Sequence, residues 1–196
     1  PRTERMEYYQ HTPYDPKSLS DNLIYDILID RKGNLWIATN NGLNRFNREE
    51  KQFTRYYHDE DDPSTLTSNT IRELYEDSRG RLWMGTVSGG LNLYHPDSDS
   101  FTHFMQENGL PSNTIYGILE DQQSRLWIST MDQLVVFDYE MSQFQVVDED
   151  NGIWADEFSR GHFRDIAANE LYFGTTEGLY LLKPGDFSRN EHVPPV

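Results

Sequence analysis

One pattern recurs along the chain and limits what it can fold into. Leu35-Trp36-Ile37-Ala38-Thr39, Leu82-Trp83-Met84-Gly85-Thr86 and Leu126-Trp127-Ile128-Ser129-Thr130 are versions of one segment. Leu171-Tyr172-Phe173-Gly174-Thr175 is a fourth version, with Tyr in place of Trp. The aromatic column falls at positions 36, 83, 127 and 172. Flanking columns keep step with it. Asn22, Asn69 and Asn113 precede Ile24, Ile71 and Ile115, and Asp30, Asp77 and Asp121 each stand six residues before a Trp. Gly42-Leu43, Gly90-Leu91 and Gly178-Leu179 follow, with Gln133-Leu134 as the odd member. The first three copies close on Phe53–Tyr57, Phe101–Phe104 and Phe144–Val147. Self-similarity at one period of this length means stacked supersecondary units.

Inside a copy, four short segments rich in aromatic and β-branched residues suit strands. Asp30-Arg31-Lys32-Gly33 and Asp77-Ser78-Arg79-Gly80 between them are turn chemistry. The Asp side chain bonds the backbone that follows it, and the Gly supplies a positive φ. Ser124 replaces that Gly in the third copy, so a different turn is expected there. No window keeps a 3.6-residue period, which predicts essentially no helix. The expected fold is therefore all-β: a β-propeller of four repeats of about 45 residues, each a four-stranded antiparallel blade. The Trp column is expected to fill the space between blades. The blades are expected at 22–66, 67–110, 111–153 and 154–187, flanked by an outer strand and linker at 1–21 and an exit linker at 188–196.

The residues from Ser68-Asn69 through Leu93-Tyr94, and from Ser20 and Asn22 to Phe46, resemble the two-component-regulator propeller repeat. The third copy, from Ser112-Asn113 to Phe137, departs from it at Ser124, Ser129 and Gln133. The fourth, from Phe158 to Leu182, is similar to the divergent closing repeat of such arrays. The resemblance implies the periplasmic part of a bacterial membrane sensor. There, seven-bladed propellers lead into an immunoglobulin-like domain, a transmembrane helix and a histidine kinase or diguanylate cyclase output. In the polysaccharide-utilisation sensors the ligand is an oligosaccharide. The expectation is a ligand-sensing fragment without enzymatic activity or cofactor. Its tail, from Lys183-Pro184-Gly185 to Val196, would run toward the immunoglobulin-like domain.

Composition narrows the partners. Lys and Arg number 17 against 33 Asp and Glu, a net charge of −16. Such a surface opposes nucleic acid and anionic lipid. Cysteine is absent, which excludes disulfides, thiol catalysis and Cys-ligated zinc. No stretch approaches the roughly 20 apolar residues of a membrane span. The N-terminus shows no secretory signal, so a cytosolic chain or a piece of a larger exported one is expected.

Strand alternation sends the turns after Thr39, Thr86, Thr130 and Thr175 to one face, together with the long connections between blades. Variable loops on a rigid scaffold are where binding concentrates. The candidate ligand residues are accordingly Asn40, Asn41, Ser88, Asp132 and Glu177, with Trp154 beside Asp156 and Glu157. A flat ring among carboxylates and amides suits a sugar, whereas Trp154 packed on its own blade is the plainer alternative. His58-Asp59-Glu60-Asp61-Asp62 is weighed as a calcium loop, but it lacks the EF-hand spacing and glycine and reads more simply as a solvated run. The Asn column could line a central channel or satisfy local turns. No standard catalytic motif is present. His162 with Glu157 is the one pair that a metal-dependent lyase, similar to the streptogramin-inactivating enzymes, could use. A purely structural module is the third class. Met6–Tyr9 reads as a spare outer strand that could pair with Gly178–Leu182 in cis, or in trans to give a strand-exchanged homodimer. The other possibility is an open arc.

Overall fold

The computed structural model describes residues 6–131, 133–148, 153 and 157–187. Its strands form four antiparallel sheets, each built from consecutive strands. The first sheet comprises β1 (Ile24–Ile29), β2 (Leu35–Thr39), β3 (Gly42–Asn47) and β4 (Gln52–Tyr56). The second comprises β5 (Ile71–Glu76), β6 (Leu82–Thr86), β7 (Leu91–His95) and β8 (Ser100–Phe104). The third comprises β9 (Ile115–Glu120), β10 (Leu126–Thr130), β11 (Leu134–Asp138) and β12 (Gln143–Val147). The fourth has three strands, β13 (Phe158–Asp165), β14 (Glu170–Thr175) and β15 (Leu179–Leu182). These are propeller blades. Helix among the described residues is limited to single 3-10 turns at Gln106–Asn108 and Pro184–Asp186. The chain divides into two compact units, Pro1–Ile115 and Tyr116–Val196.

The Asp column explains why the first two strands of a blade fold back on one another. The Asp30 carboxylate accepts the backbone N–H groups of Lys32 and Asn34, which fixes the turn. Its second oxygen accepts the Trp36 indole N–H at 2.9 Å. Asp77 and Asp121 repeat this arrangement, taking the indoles of Trp83 and Trp127 at 3.0 and 2.8 Å. Where Asn34 caps Asp30, Arg81 and Arg125 pair with Asp77 and Asp121 through Nε at 2.5 and 2.7 Å. The expectation that Ser124 would alter its turn is corrected. Ser124 takes φ +60°, close to the +85° of Gly33 and +77° of Gly80, and its N–H reaches the Asp121 carbonyl as theirs reach Asp30 and Asp77. The Asp clamp outweighs the cost of a left-handed non-glycine residue, which is about 1–2 kcal/mol.

The Trp column is core. Trp36, Trp83 and Trp127 are all fully buried. In the first unit, Trp36 and Tyr56 of one blade pack with Ile71, Leu74, Tyr94 and Phe101 of the next. The Trp36 and Tyr94 rings meet edge-on at 5.0 Å, and the Arg45 guanidinium covers Trp36. A ring this large removes on the order of 200 Å² from water, which stabilises the blade contact by several kcal/mol. In the second unit, Trp127 is covered by Phe187 at 5.2 Å and clusters with Phe158, Leu171 and Phe173. The chain after β15 therefore turns back onto Trp127 rather than continuing as an outer strand. The sequence of the fourth copy runs out of strand after Leu182, where Pro184-Gly185 interrupts, and its sheet among the described residues accordingly has three strands.

In the single chain Met6–Tyr9 pairs with no strand among the described residues. This segment has no ladder partner, and backbone becomes a strand only by pairing. Tyr9 packs edge-on against Phe46 and Phe53 of the first blade, at 4.9 and 5.7 Å.

Candidate functional site

Two groups of exposed turns contain the candidate ligand residues, one in each unit. In the first unit, the β2–β3 turn carries Asn40 and Asn41, and the β6–β7 turn carries Ser88. Backbone bonds stitch the two turns together. Asn40 donates its N–H to Leu23, and its carbonyl accepts the Thr70 hydroxyl at 3.1 Å. The Thr70 carbonyl takes the N–H of Val87, and Ser88 donates its N–H to the Thr114 hydroxyl at 3.2 Å. The Tyr25 hydroxyl donates to the Asn40 side-chain oxygen at 3.2 Å, and the Asn40 amide hydrogens have no partner among the described residues. The Asn41 side chain and the Ser88 hydroxyl have no partner among the described residues. The result is a continuous polar edge of amides, hydroxyls and one phenol on a rigid sheet scaffold. Sequence reasoning missed Tyr25, Thr70 and Thr114. The signal was available for two of them, since Thr70 and Thr114 both directly follow the Asn column.

In the second unit, Thr176 donates its N–H to the Glu157 carbonyl at 3.0 Å and Phe158 donates to Met131 at 3.2 Å. These bonds set the exposed Glu157 and Glu177 on adjacent turns. Asp132, Trp154 and Asp156 lie outside the described residues.

The remaining candidates are already committed to structure. Asn22, Asn69 and Asn113 accept the backbone N–H groups of His11, His58 and Gln106 at 2.7, 2.7 and 2.9 Å, closing the connections that precede their blades. That is the local-turn role, and the channel role is set aside. In the acidic loop, Asp59 accepts the N–H of Asp61, and Asp62 accepts both the N–H and the hydroxyl of Ser64. The Ser64 hydroxyl and N–H hold the Asp62 carboxyl below its ordinary range. His58 Nδ1 lies 2.6 Å from the Leu66 carbonyl. No group of three acidic or His side chains that could hold a metal exists among the described residues. His162 sits over Gly117, so that a Cβ there would lie 2.6 Å from its ring, and its Nδ1 lies 3.0 Å from the Arg160 carbonyl. The His162 ring is thus held by packing on β9, and among the described residues no metal-holding group includes Glu157 and His162.

The two-component regulator propeller family matches residues 18–41, 65–88 and 109–132, which are the three Trp-bearing copies. The three matched copies are two-component regulator propeller repeats. Among solved structures, the extracellular domain of a hybrid two component system from B. thetaiotaomicron superposes with a TM-score of 0.77. It is 23% identical over 92% of this chain and 25% of that one. A second extracellular domain of this kind, from the same organism, gives 0.63 at 22% identity over 89% of this chain and 28% of that one. A catalytically inactive virginiamycin B lyase from Staphylococcus aureus, with quinupristin, gives 0.59 at 14% identity over 90% and 59%. At these identities the likeness carries the fold. The chain spans about a quarter of the length of the two B. thetaiotaomicron domains. No curated protein matches it. No helix among the described residues is long and apolar enough to cross a membrane.

Proposed function

We propose that these propeller repeats form an extracytoplasmic, periplasmic ligand-recognition segment of a bacterial membrane signalling protein. In this reading the segment binds without catalysis, and its ligand is a neutral oligosaccharide. The observation that carries the reading is the stitched polar edge of the first unit. Asn40, Asn41 and Ser88 offer donors and acceptors together, as vicinal hydroxyls require, and Tyr25 adds a ring beside them. The net charge of −16 disfavours an anionic ligand. The similarity to extracellular domains of hybrid two component systems supports the cellular setting. Downstream immunoglobulin-like and output domains belong to this proposal as the partners that would receive the signal.

Thermal unfolding against a panel of neutral oligosaccharides tests the reading. A ligand at about a hundred times its Kd adds about 2.7 kcal/mol. For a domain of this size that raises Tm by roughly 5–10 °C. The rise should be lost in Asn41→Ala and Ser88→Ala, whose own Tm values should match the parent's. A panel that produces no rise, or metal-dependent turnover of a substrate, overturns the proposal.

A further inference from the structure

Tyr57 is an aromatic residue that the repeat does not require. The register pairs Leu43 with Tyr56, Leu91 with Phe104 and Leu134 with Val147. The residues that follow, Tyr57, Met105 and Asp148, therefore hold one position in three blades. A position that takes Tyr, Met or Asp is not a core position, in contrast to the buried Trp column. Tyr57 is 37% exposed, and its hydroxyl has no hydrogen-bond partner among the described residues. Packing thus leaves this ring unexplained, and it stands on the face that carries Asn40 and Asn41.

Its surroundings hold it still. Tyr56 before it is buried and laddered to Leu43. His58 after it donates its N–H to the Asn69 side chain at 2.7 Å, and its Nδ1 lies 2.6 Å from the Leu66 carbonyl. The Cδ1–Cε1 edge of the Tyr57 ring lies against Gly42, where a Cβ would stand 3.0 and 2.9 Å from those two carbons. Gly42, at φ +108°, also donates its N–H to the Asn69 carbonyl at 2.6 Å. Ring, turn and connection are thus tied to one another. In the second blade the atoms nearest the corresponding Gly90 are backbone, from Phe104 and Met105. Gly42 directly follows Asn41, so the ring stands beside the two asparagines whose amide hydrogens have no partner among the described residues. A rigid, half-exposed ring beside such amides offers a sugar both an apolar surface and hydrogen-bonding groups, at little cost in ordering.

We propose that Tyr57 is the stacking platform of the polar edge. One neutral pyranose ring of the ligand lays its C–H face on the Tyr57 ring, while the Asn40 and Asn41 amides bond hydroxyls at its rim. This inference rests on the oligosaccharide reading of that edge. It adds the residue that recognises the sugar ring itself, as distinct from its hydroxyls. Amides and hydroxyls alone bond any polyol, whereas an aromatic surface selects a ligand with an apolar ring face.

Titration calorimetry with cellotetraose, maltotetraose and mannotetraose measures Kd for the parent, Tyr57→Phe and Tyr57→Met. Met is the residue that the second blade carries at this position, so Tyr57→Met should fold with parental circular dichroism and Tm. At least one of these sugars should bind the parent. Tyr57→Phe keeps the ring and should keep a Kd close to the parent's. Tyr57→Met should raise Kd by about tenfold or more, the worth of one aromatic contact. Binding to the parent that Tyr57→Met leaves unchanged overturns the platform and leaves the oligosaccharide reading standing. A loss in Tyr57→Phe as large as that in Tyr57→Met assigns the effect to the hydroxyl and overturns stacking. A parent that binds none of the sugars overturns the oligosaccharide reading and this inference with it.

Discussion

A single aspartate per blade ties the turn to the core. Asp77 is buried and accepts the N–H groups of Arg79 and Arg81, the Arg81 Nε and the Trp83 indole. Asp77→Ala strands the buried donors of that set, and should cost about 3–5 kcal/mol, the penalty for breaking a buried ion pair. Trp83→Phe keeps a ring but removes one donor, and should cost about 1–3 kcal/mol. Urea unfolding of the two variants checks the ranking. Asp30, partly exposed, gives the pH dependence. Burial pushes its pKa up, but the Trp36 indole, the Asn34 amide and the N–H groups of Asn34 and Lys32 outweigh burial and hold it below the ordinary value of 3.8. A depressed folded pKa contributes stability above the unfolded value that is lost as pH falls through the folded one. Unfolding free energy should therefore drop below about pH 4, and the drop should be shallower in Asp30→Asn. The sequence showed this Asp as a turn residue. The indole bond was not legible, because it depends on the hairpin bringing a residue six positions away back to the same carboxylate.

At the scale of strands and their connections, buried polar pairs and tight turns hold one blade to its approach. Asn92 on β7 is fully buried; its side-chain oxygen accepts the Thr67 N–H at 3.1 Å, and its amide donates to the Thr67 hydroxyl at 2.8 Å. Asn44 holds Ser20 in the same way on β3. In the third copy the corresponding residues are Val135 and Pro111, so the acceptor and the N–H donor vanish together. Asn92→Val should cost about 1–3 kcal/mol by leaving the Thr67 N–H unpaired. The double variant with Thr67→Pro should cost less than the two singles summed, a coupling that a denaturation cycle measures. This column was readable as donor and acceptor lost together, but only once the register had shown which residues face each other. Glycine differs in the same spirit. Gly33 has φ +85° with open space around it, while a Cβ at Gly90, φ +71°, would lie 2.3 Å from the Phe104 carbonyl. Gly33→Ala should cost about 1–2 kcal/mol for its backbone alone, and Gly90→Ala should exceed it in the same assay.

The whole molecule carries a net charge of −16. Self-repulsion of that size works against the compact state, and salt screens it. Tm should therefore rise as salt is added from low ionic strength, and scanning calorimetry across salt concentrations reads the effect; a Tm that ignores salt shows that the repulsion costs the fold nothing.

The sequence by itself determined the repeat, the all-β blades, the buried Trp column and the absence of long helices among the described residues. Each of these follows from local spacing: strands alternate every two residues, turns need Asp and Gly at fixed offsets, and one large ring per copy must be buried somewhere. Only the tertiary structure decided what each column bonds to. Asn22, Asn69 and Asn113 proved to close their connections, Ser124 proved to share the turn of Gly33 and Gly80, and Phe187 proved to take the place over Trp127 that an outer strand would have continued past. It also decided that Met6–Tyr9, strand-like in composition, is no strand in the single chain, because a strand is completed by a neighbour and composition cannot supply one.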